Sequence, residues 1–513
     1  MKNNNKFYWP LKYSSFIEIG RQFNESYFDL VNSSDNETKN ILICIYGCLC
    51  NEFSAVVCNL YILNSRKEIN FQKLFHNDKS RIFKNFKNEE YNFPSIVNTL
   101  KYGLSPNFIK EKLHAFRFKF FKDFPNTASL KSLDLQNDIV CIHTGGLIKT
   151  NYESRKKNIF YVPLTEWFQP IKENYFFISL KKLIILGQNV ENIIIQILNK
   201  YKLINNHVNK YFRKLINELL FNTNKYIGDI LEKKIFAKEL WTGSGGAITT
   251  RILRLTCMLN NGYVVGHDHS HGQGSFINLI NTLLELPFLN EFVTRTNRQK
   301  MSIKKEMLNS FLKFKNLKIK VLYENKRINL KNVRKNYSNK KILFVSSLYN
   351  IDFSSLDPLP FIPLMLDFEL RLFKLLKKKG FHPIYKPHPE NKVDVKEIFE
   401  QNGYKVSTSR FEEIFEDMGS IIFGVSNQTS FFNAMKTDIP IIIIDLGFKK
   451  WDDYALRMLK KRVGYVPTFF DNNNRILFKE YQLLKQIEAS LILNDNTYVK
   501  NYFYPTISIN EIN

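Results

Sequence analysis

Two prolines bracket a histidine in residues 381–390, FHPIYKPHPE, just behind an apolar run that ends on a lysine. Residues 381–385 are strand-prone, Gly380 suits a helix end, and Pro387 and Pro389 cannot extend a ladder. Lys386 and His388 are therefore expected at the carboxyl end of a strand, where open α/β sheets bind ligands. The prolines restrict the backbone on both sides of His388, so its imidazole has little freedom left to lose. Fixed positive charge beside an imidazole donor suits a phosphate better than a carbonyl. A solvated turn that happens to hold these two side chains is the plain alternative.

The elements around this loop must position it. Residues 340–347, KKILFVSS, read as a buried parallel strand ending in two serines. From 362 to 379, Met365, Phe368, Leu372, Leu375 and Leu376 recur at helical spacing, and Gly380 follows as the stop. Helices are expected at 393–401 and 411–418, and strands at 404–407, 420–425 and 439–445. This alternation predicts a doubly wound parallel sheet. Between the last two strands, Ser426, Asn427, Gln428, Thr429 and Ser430 precede a short apolar helix at 431–435. Hydroxyls and free N–H groups at such a turn suit an anion, although simple helix capping would use the same residues.

The runs DPLPFIPLMLDFELRLFKLLKKKGFHPIYKPHPE and DMGSIIFGVSNQTSFFNAMKTDIPIIIID resemble the carboxyl lobe of GT-B glycosyltransferases of bacterial capsule and lipopolysaccharide synthesis. They are most similar to the His-Pro-motif groups that transfer Kdo and sialic acid. The resemblance covers roughly residues 340–445. It implies two Rossmann-like doubly wound lobes with a cleft between them. It also implies that His388 and Pro389, with Ser426, Thr429 and Ser430, hold the phosphate of a nucleotide-sugar donor. Lys386 adds charge to the same loop.

In the amino-terminal half, residues 239–276 carry the remaining chemistry. A turn of small residues, Trp241-Thr242-Gly243-Ser244-Gly245-Gly246, precedes a helix containing Arg251 and Arg254. It lets a ligand or another chain approach the backbone closely, and it matches neither a Walker A loop nor GxGxxG. A strand at 263–266 then runs into HDHSHGQGSF. Here His267, His269 and His271 would share one face of an extended strand, a spacing that can ligate zinc. Downstream only His382 and His388 remain, without carboxylates at a recognised spacing, so no metal is expected. The resemblance extends loosely here, implying Asp268, His271, Gly272 and Gly274 as an inter-lobe loop. On that reading His271 or Asp268 deprotonates the acceptor, and Gly245, Gly246, His269 and Gly272 line the acceptor side. His143 at another strand end, and Glu166 beyond residues 158–162, are weaker candidates.

Composition sets the outer bounds. At 513 residues, with 44% hydrophobic and 24% charged residues, the chain suits a globular enzyme of two or more domains. The net charge of +26 favours acidic partners such as nucleotides or anionic lipid surfaces. No compact basic block or finger pattern points to nucleic acid. Cys44, Cys48, Cys50 and Cys58 lie in an apolar stretch interrupted by Asn51 and Glu52, read as a core helix with free thiols, not a membrane span. The start, MKNNNKFYWP, lacks a secretory pattern, so a cytoplasmic protein is expected, peripheral to the inner membrane face.

The expected division is an amino-terminal, acceptor-side lobe at 1–300 and a linker at 301–339. A donor lobe at 340–470 and a terminal helix and tail at 471–513 complete it. Strand-like 176–186 is followed by a helix at 190–201, and a terminal helix over 478–493 is expected, by analogy, to cross back to the first lobe. Asp452-Asp453 does not make a plausible metal-binding DxD, so the expected chemistry is metal-independent transfer without a cofactor. A glycerophosphate-type transferase using a CDP-alcohol, a nucleotide-sugar epimerase and a non-catalytic binding partner remain alternatives.

Overall fold

The computed structural model describes residues 12–64, 128–143, 146–155, 158–168, 175–234, 236–268, 274–277, 279–322, 340–347, 362–389, 395–424 and 429–503. Two long helices open it, α1 (Tyr13–Ser33) and α2 (Asn36–Asn64). They are followed by β1 (Ile139–Cys141), α3 (Gly146–Arg155), β2 (Ile159–Tyr161) and α4 (Leu164–Trp167). A helical pair, α5 (Leu180–Lys200) and α6 (Asn206–Lys233), leads to β3 (Glu239–Thr242), α7 (Ile248–Leu259) and β4 (Tyr263–His267). Then come β5 (Phe276–Ile277), α8 (Leu279–Glu285), β6 (Glu291–Thr294), α9 (Asn297–Leu308) and β7 (Lys318–Val321).

These strands form a six-stranded sheet in the order β2-β1-β3-β4-β6-β7, parallel throughout; β5 lies outside it. The chain runs outward from β1 to β2, then returns to the other side of β1 with β3. The crevice between the carboxyl ends of β1 and β3 is therefore a topological switch point, where such sheets bind ligands.

The second half contributes β8 (Lys341–Val345), α10 (Ile362–Lys378), β9 (His382–Lys386), α11 (Val395–Gln401) and β10 (Lys405–Val406). It continues with α12 (Phe411–Ile414), β11 (Ser420–Phe423), α13 (Thr429–Met435), β12 (Ile441–Asp445), β13 (Lys450–Trp451) and α14 (Asp453–Leu459). The hairpin β14 (Gly464–Phe470) and β15 (Ile476–Phe478) precedes α15 (Glu480–Ala489) and α16 (Thr497–Tyr502). The sheet order is β10-β9-β8-β11-β12-β14-β15, parallel except for the β14–β15 pair. Its switch point falls between β8 and β11. The doubly wound parallel sheet expected from residues 340–445 is present, and the whole is an α/β protein built on two parallel sheets.

Several expectations need correction. Residues 180–186 are helical, because Ser179 caps α5 by accepting from the Lys182 N–H. Leu183, Leu186, Val190, Ile194 and Ile197 then form its buried face, and the β-branched pair Ile184-Ile185 points outward. The proposed linker from residue 301 contains most of α9 and all of β7, the last strand of the first sheet. Residues 323–339 lie outside the described residues, as does the basic aromatic stretch around 70–126. The helix over 478–493 stays with its own sheet, Gln486 accepting from the Tyr465 N–H. It is α16 that reaches the first half.

α2 carries an apolar stretch, Asn36–Cys58, long enough to cross a membrane, yet 89% of its apolar window is buried inside the protein. Burial pushes the thiols of Cys44, Cys50 and Cys58 up to about 12. All six cysteines are free.

Loops leaving the carboxyl ends of β4 and β12 meet. β5 pairs antiparallel with β13, and Phe276 lies against Trp451 at 4.1 Å. The Asp452 N–H donates to the Ser275 carbonyl, and Tyr498 of α16 donates to the Ser275 hydroxyl at 3.0 Å. Gln299 of α9 donates to the Tyr502 carbonyl, and Arg298 stacks on Tyr454 at 3.7 Å.

Candidate functional site

Lys386 is the last residue of β9, paired in register with Val345 of β8. Strand alternation sends Tyr385 and Lys386 to opposite faces. Tyr385 turns toward α10, where its hydroxyl donates to Glu369 at 3.0 Å and lies 2.9 Å from the Ser346 hydroxyl. Ser346 donates to the other Glu369 oxygen at 2.9 Å. This buried network ties the ends of β8 and β9 to α10 directly beneath the Pro387–Pro389 loop. The stacking of Tyr385 on Phe399 at 3.7 Å holds the ring from the far side.

Lys386 takes the other face, the side on which Ile384 packs with Phe411, Phe415 and Phe431. Only 6% of it is exposed, and among the described residues its one hydrogen bond is a long one, 3.4 Å, to the Pro387 carbonyl. Burial lowers its pKa, and Glu412 nearby pulls the other way. Glu412 in turn accepts from Asn433 at 2.7 Å. That residue belongs to α13, the helix that Thr429 and Ser430 begin. Lys386 and the start of α13 thus share one side of the sheet, at the carboxyl rim flanking the β8/β11 switch point. His388 is half-buried and Pro389 exposed in the same loop; Ser426 lies outside the described residues.

A second cluster occupies the rim of the first sheet. The turn after β3 is built by side chains from elsewhere. Glu285 accepts from the Gly245 N–H at 2.7 Å and from the Ser244 hydroxyl at 3.3 Å. Arg254 donates to Thr242 at 2.9 Å and to the Glu285 carbonyl at 2.7 Å. Arg251 donates to the Gly246 carbonyl at 3.1 Å. His143, at the end of β1, accepts from the Gly243 N–H at 3.3 Å. Burial pulls the Arg254 pKa down to about 10, with Glu285 opposing.

Asp268 follows β4 and is buried, with Gln299 donating to it at 3.4 Å. His267 is structural. One ring nitrogen lies 3.1 Å from the Thr242 carbonyl, the other 2.9 Å from the Asn151 amide. It therefore offers no nitrogen to a metal. His269, His271 and Gly272 lie outside the described residues. Glu166 is engaged by the Ser129 hydroxyl. Asp452 caps α14, accepting from the Tyr454 and Ala455 N–H groups at 3.1 Å. Among the described residues no three His, Cys, Asp or Glu side chains are grouped to hold a metal.

Glu285, Glu369, Ser346 and Tyr385 are site-forming residues that local sequence did not single out. Arg251 did leave a signal: it falls between Ile248 and Leu255 on the apolar face of α7, where a surface helix carries no charge.

No family model matches the chain, and no curated protein matches it. Among solved structures, it is similar to a complex of a UDP-glucosyltransferase from Polygonum tinctorium, described as capable of glucosylating indoxyl and 3,4-dichloroaniline. The alignment covers 69% of this chain and 88% of that one, at 9% identity and a TM-score of 0.31. A likeness of that size fixes neither fold nor activity.

Proposed function

We propose that this protein is a glycosyltransferase that moves a sugar from a nucleotide-sugar donor to a surface polysaccharide or lipid-linked glycan. The observation that carries this is Lys386. A buried ammonium with one long hydrogen bond is costly unless something else meets its charge. It sits at the carboxyl rim of a doubly wound sheet, on the side where α13, begun by Thr429 and Ser430, packs. A departing nucleotide phosphate fits that demand. His388 and Pro389, with Ser426, complete the donor loop in this reading, and a CMP-linked sugar is favoured.

The two parallel sheets would be the lobes of a GT-B-type arrangement, with the β5–β13 pairing at their junction. Asp268, held by Gln299, or His271 would take the proton from the acceptor hydroxyl. Transfer would need neither cofactor nor bound metal, since Lys386 and the hydroxyls meet the donor charge. The chain's basic balance suits a cytoplasmic enzyme working at an anionic membrane face.

The test is a thermal-shift screen of CMP, CDP, UDP, GDP and their sugars against wild type and His388→Ala. A ligand at a hundredfold excess over its Kd adds about 2.7 kcal/mol of apparent stability. Stabilisation by one nucleotide, lost in His388→Ala, is the expected result and names the donor class. No shift with any nucleotide overturns the transferase reading.

A further inference from the structure

We infer that the amino terminus of α7 is a second anion site, and that it takes a phosphate group of the acceptor. α7 has 12 residues, and its N-cap, Ala247, offers no side-chain hydrogen bond to the first turn. The leading N–H groups of a helix have no partner within it, and they carry the positive end of its dipole. Capping side chains ordinarily fill that role, and among the described residues none does here.

Among the described residues, two buried groups at this end are also unmatched. Thr250, in the first turn, is buried with no partner for its hydroxyl. Arg251 is fully buried, and its Nε and Nη1 have no hydrogen-bond partner, while Nη2 turns back to the Gly246 carbonyl. The charge balance around it is lopsided. The Glu285 carboxylate accepts from the Ser244 hydroxyl and the Gly245 N–H, and its main-chain carbonyl accepts from Arg254. Glu52, on α2, accepts from Tyr211 at 2.8 Å. Two guanidinium groups thus lie under this turn with a single carboxylate bound to it. An unmatched buried charge of this kind is costly to the folded state. An anion resting on the turn would offset that cost.

Access and position agree with this. Ser244, Gly246 and Ala247 are partly exposed, so the turn in front of α7 is open to solvent, although Ile248, Thr249 and Thr250 behind it are buried. The turn lies in the β1/β3 switch-point crevice, bridged to β1 by the hydrogen bond from Gly243 to His143. The site stands on this geometry alone. That its ligand is the acceptor, a sugar phosphate or a lipid-linked diphosphate, rests on the transferase reading, because the donor would occupy the second sheet.

Inorganic pyrophosphate is the probe, titrated calorimetrically into Lys386→Ala so that the donor loop does not contribute. One binding event is expected. Adding Gly246→Asp should weaken it at least about tenfold relative to the equal-sized Gly246→Asn, through charge alone. A Cβ at Gly246 meets only the Ser244 hydroxyl, at 3.5 Å, so both variants have room. Amide exchange of residues 243–250 in wild type needs no variant, and should slow with pyrophosphate. No binding in Lys386→Ala, equal affinity for the Asp and Asn variants, or unchanged exchange overturns the site. Pyrophosphate binding in a protein that binds no nucleotide keeps the site but overturns the acceptor assignment.

Discussion

Lys386 is where function and stability pull apart. Burial lowers its pKa below the usual lysine value of 10.5, so the folded chain gives up this proton at lower pH than the unfolded chain. Between the two values the unfolded chain binds more protons, and stability rises with pH; below the folded value the cost of the buried charge is present in full. Anion binding has the opposite slope, falling as pH climbs through the lowered pKa. Lys386→Met is therefore expected to hold stability or gain about 1 kcal/mol in urea titrations while losing nucleotide binding. A marked loss of stability would make the lysine structural and remove the observation on which the donor site rests.

At the scale of elements, the β3–α7 turn shows what each glycine does. A Cβ on Gly245 would lie 2.5 Å from Arg254 Nη1 and 2.5 Å from the Leu284 carbonyl, whereas Gly246 faces open space beyond Ser244. The backbone of α8 cannot give way without disturbing the Glu285 latch. Gly245→Ala should cost about 2 kcal/mol in chemical denaturation, and Gly246→Ala under about 0.5. Equal costs would mean that the turn is not packed against α8 as described. The same latch explains why Arg254 tolerates burial in α7: carbonyl and hydroxyl acceptors meet its Nε and Nη1, whereas Arg251 has an acceptor for Nη2 alone.

The whole molecule depends on the strap between the two sheets. Asp445, ending β12, accepts from the Trp451 indole at 3.0 Å, from the Gly447 N–H and from the Tyr465 hydroxyl. That anchoring holds β13 in place to pair with β5. Trp451→Ala removes both the Phe276 contact and the indole bond, at a cost of about 3 kcal/mol. Amide exchange in residues 274–277 should accelerate well before exchange in the sheet cores. Unchanged protection there would show that the strap is held by α16 instead, through Tyr498 and Ser275.

Much of the second half was readable locally. Alternating apolar runs, Gly380 as a stop and prolines after Lys386 are short-range signals, so β8 to β12 and their helices fall near their expected positions. The apolar stretch broken by Asn51 and Glu52 likewise read as a core helix, α2, and its burial follows from helices packed on it, α6 and α7 among them from distant sequence. Local pattern failed where a cap outranks propensity, as at Ser179, and where a strand joins a sheet only through long-range pairing, as β7 does with β6. It also could not say which charges go inside. Lys386, Arg251 and Glu369 are buried because residues far along the chain close over them. Desolvation, the quantity that makes them chemically interesting, is a property of that closure and not of residue type.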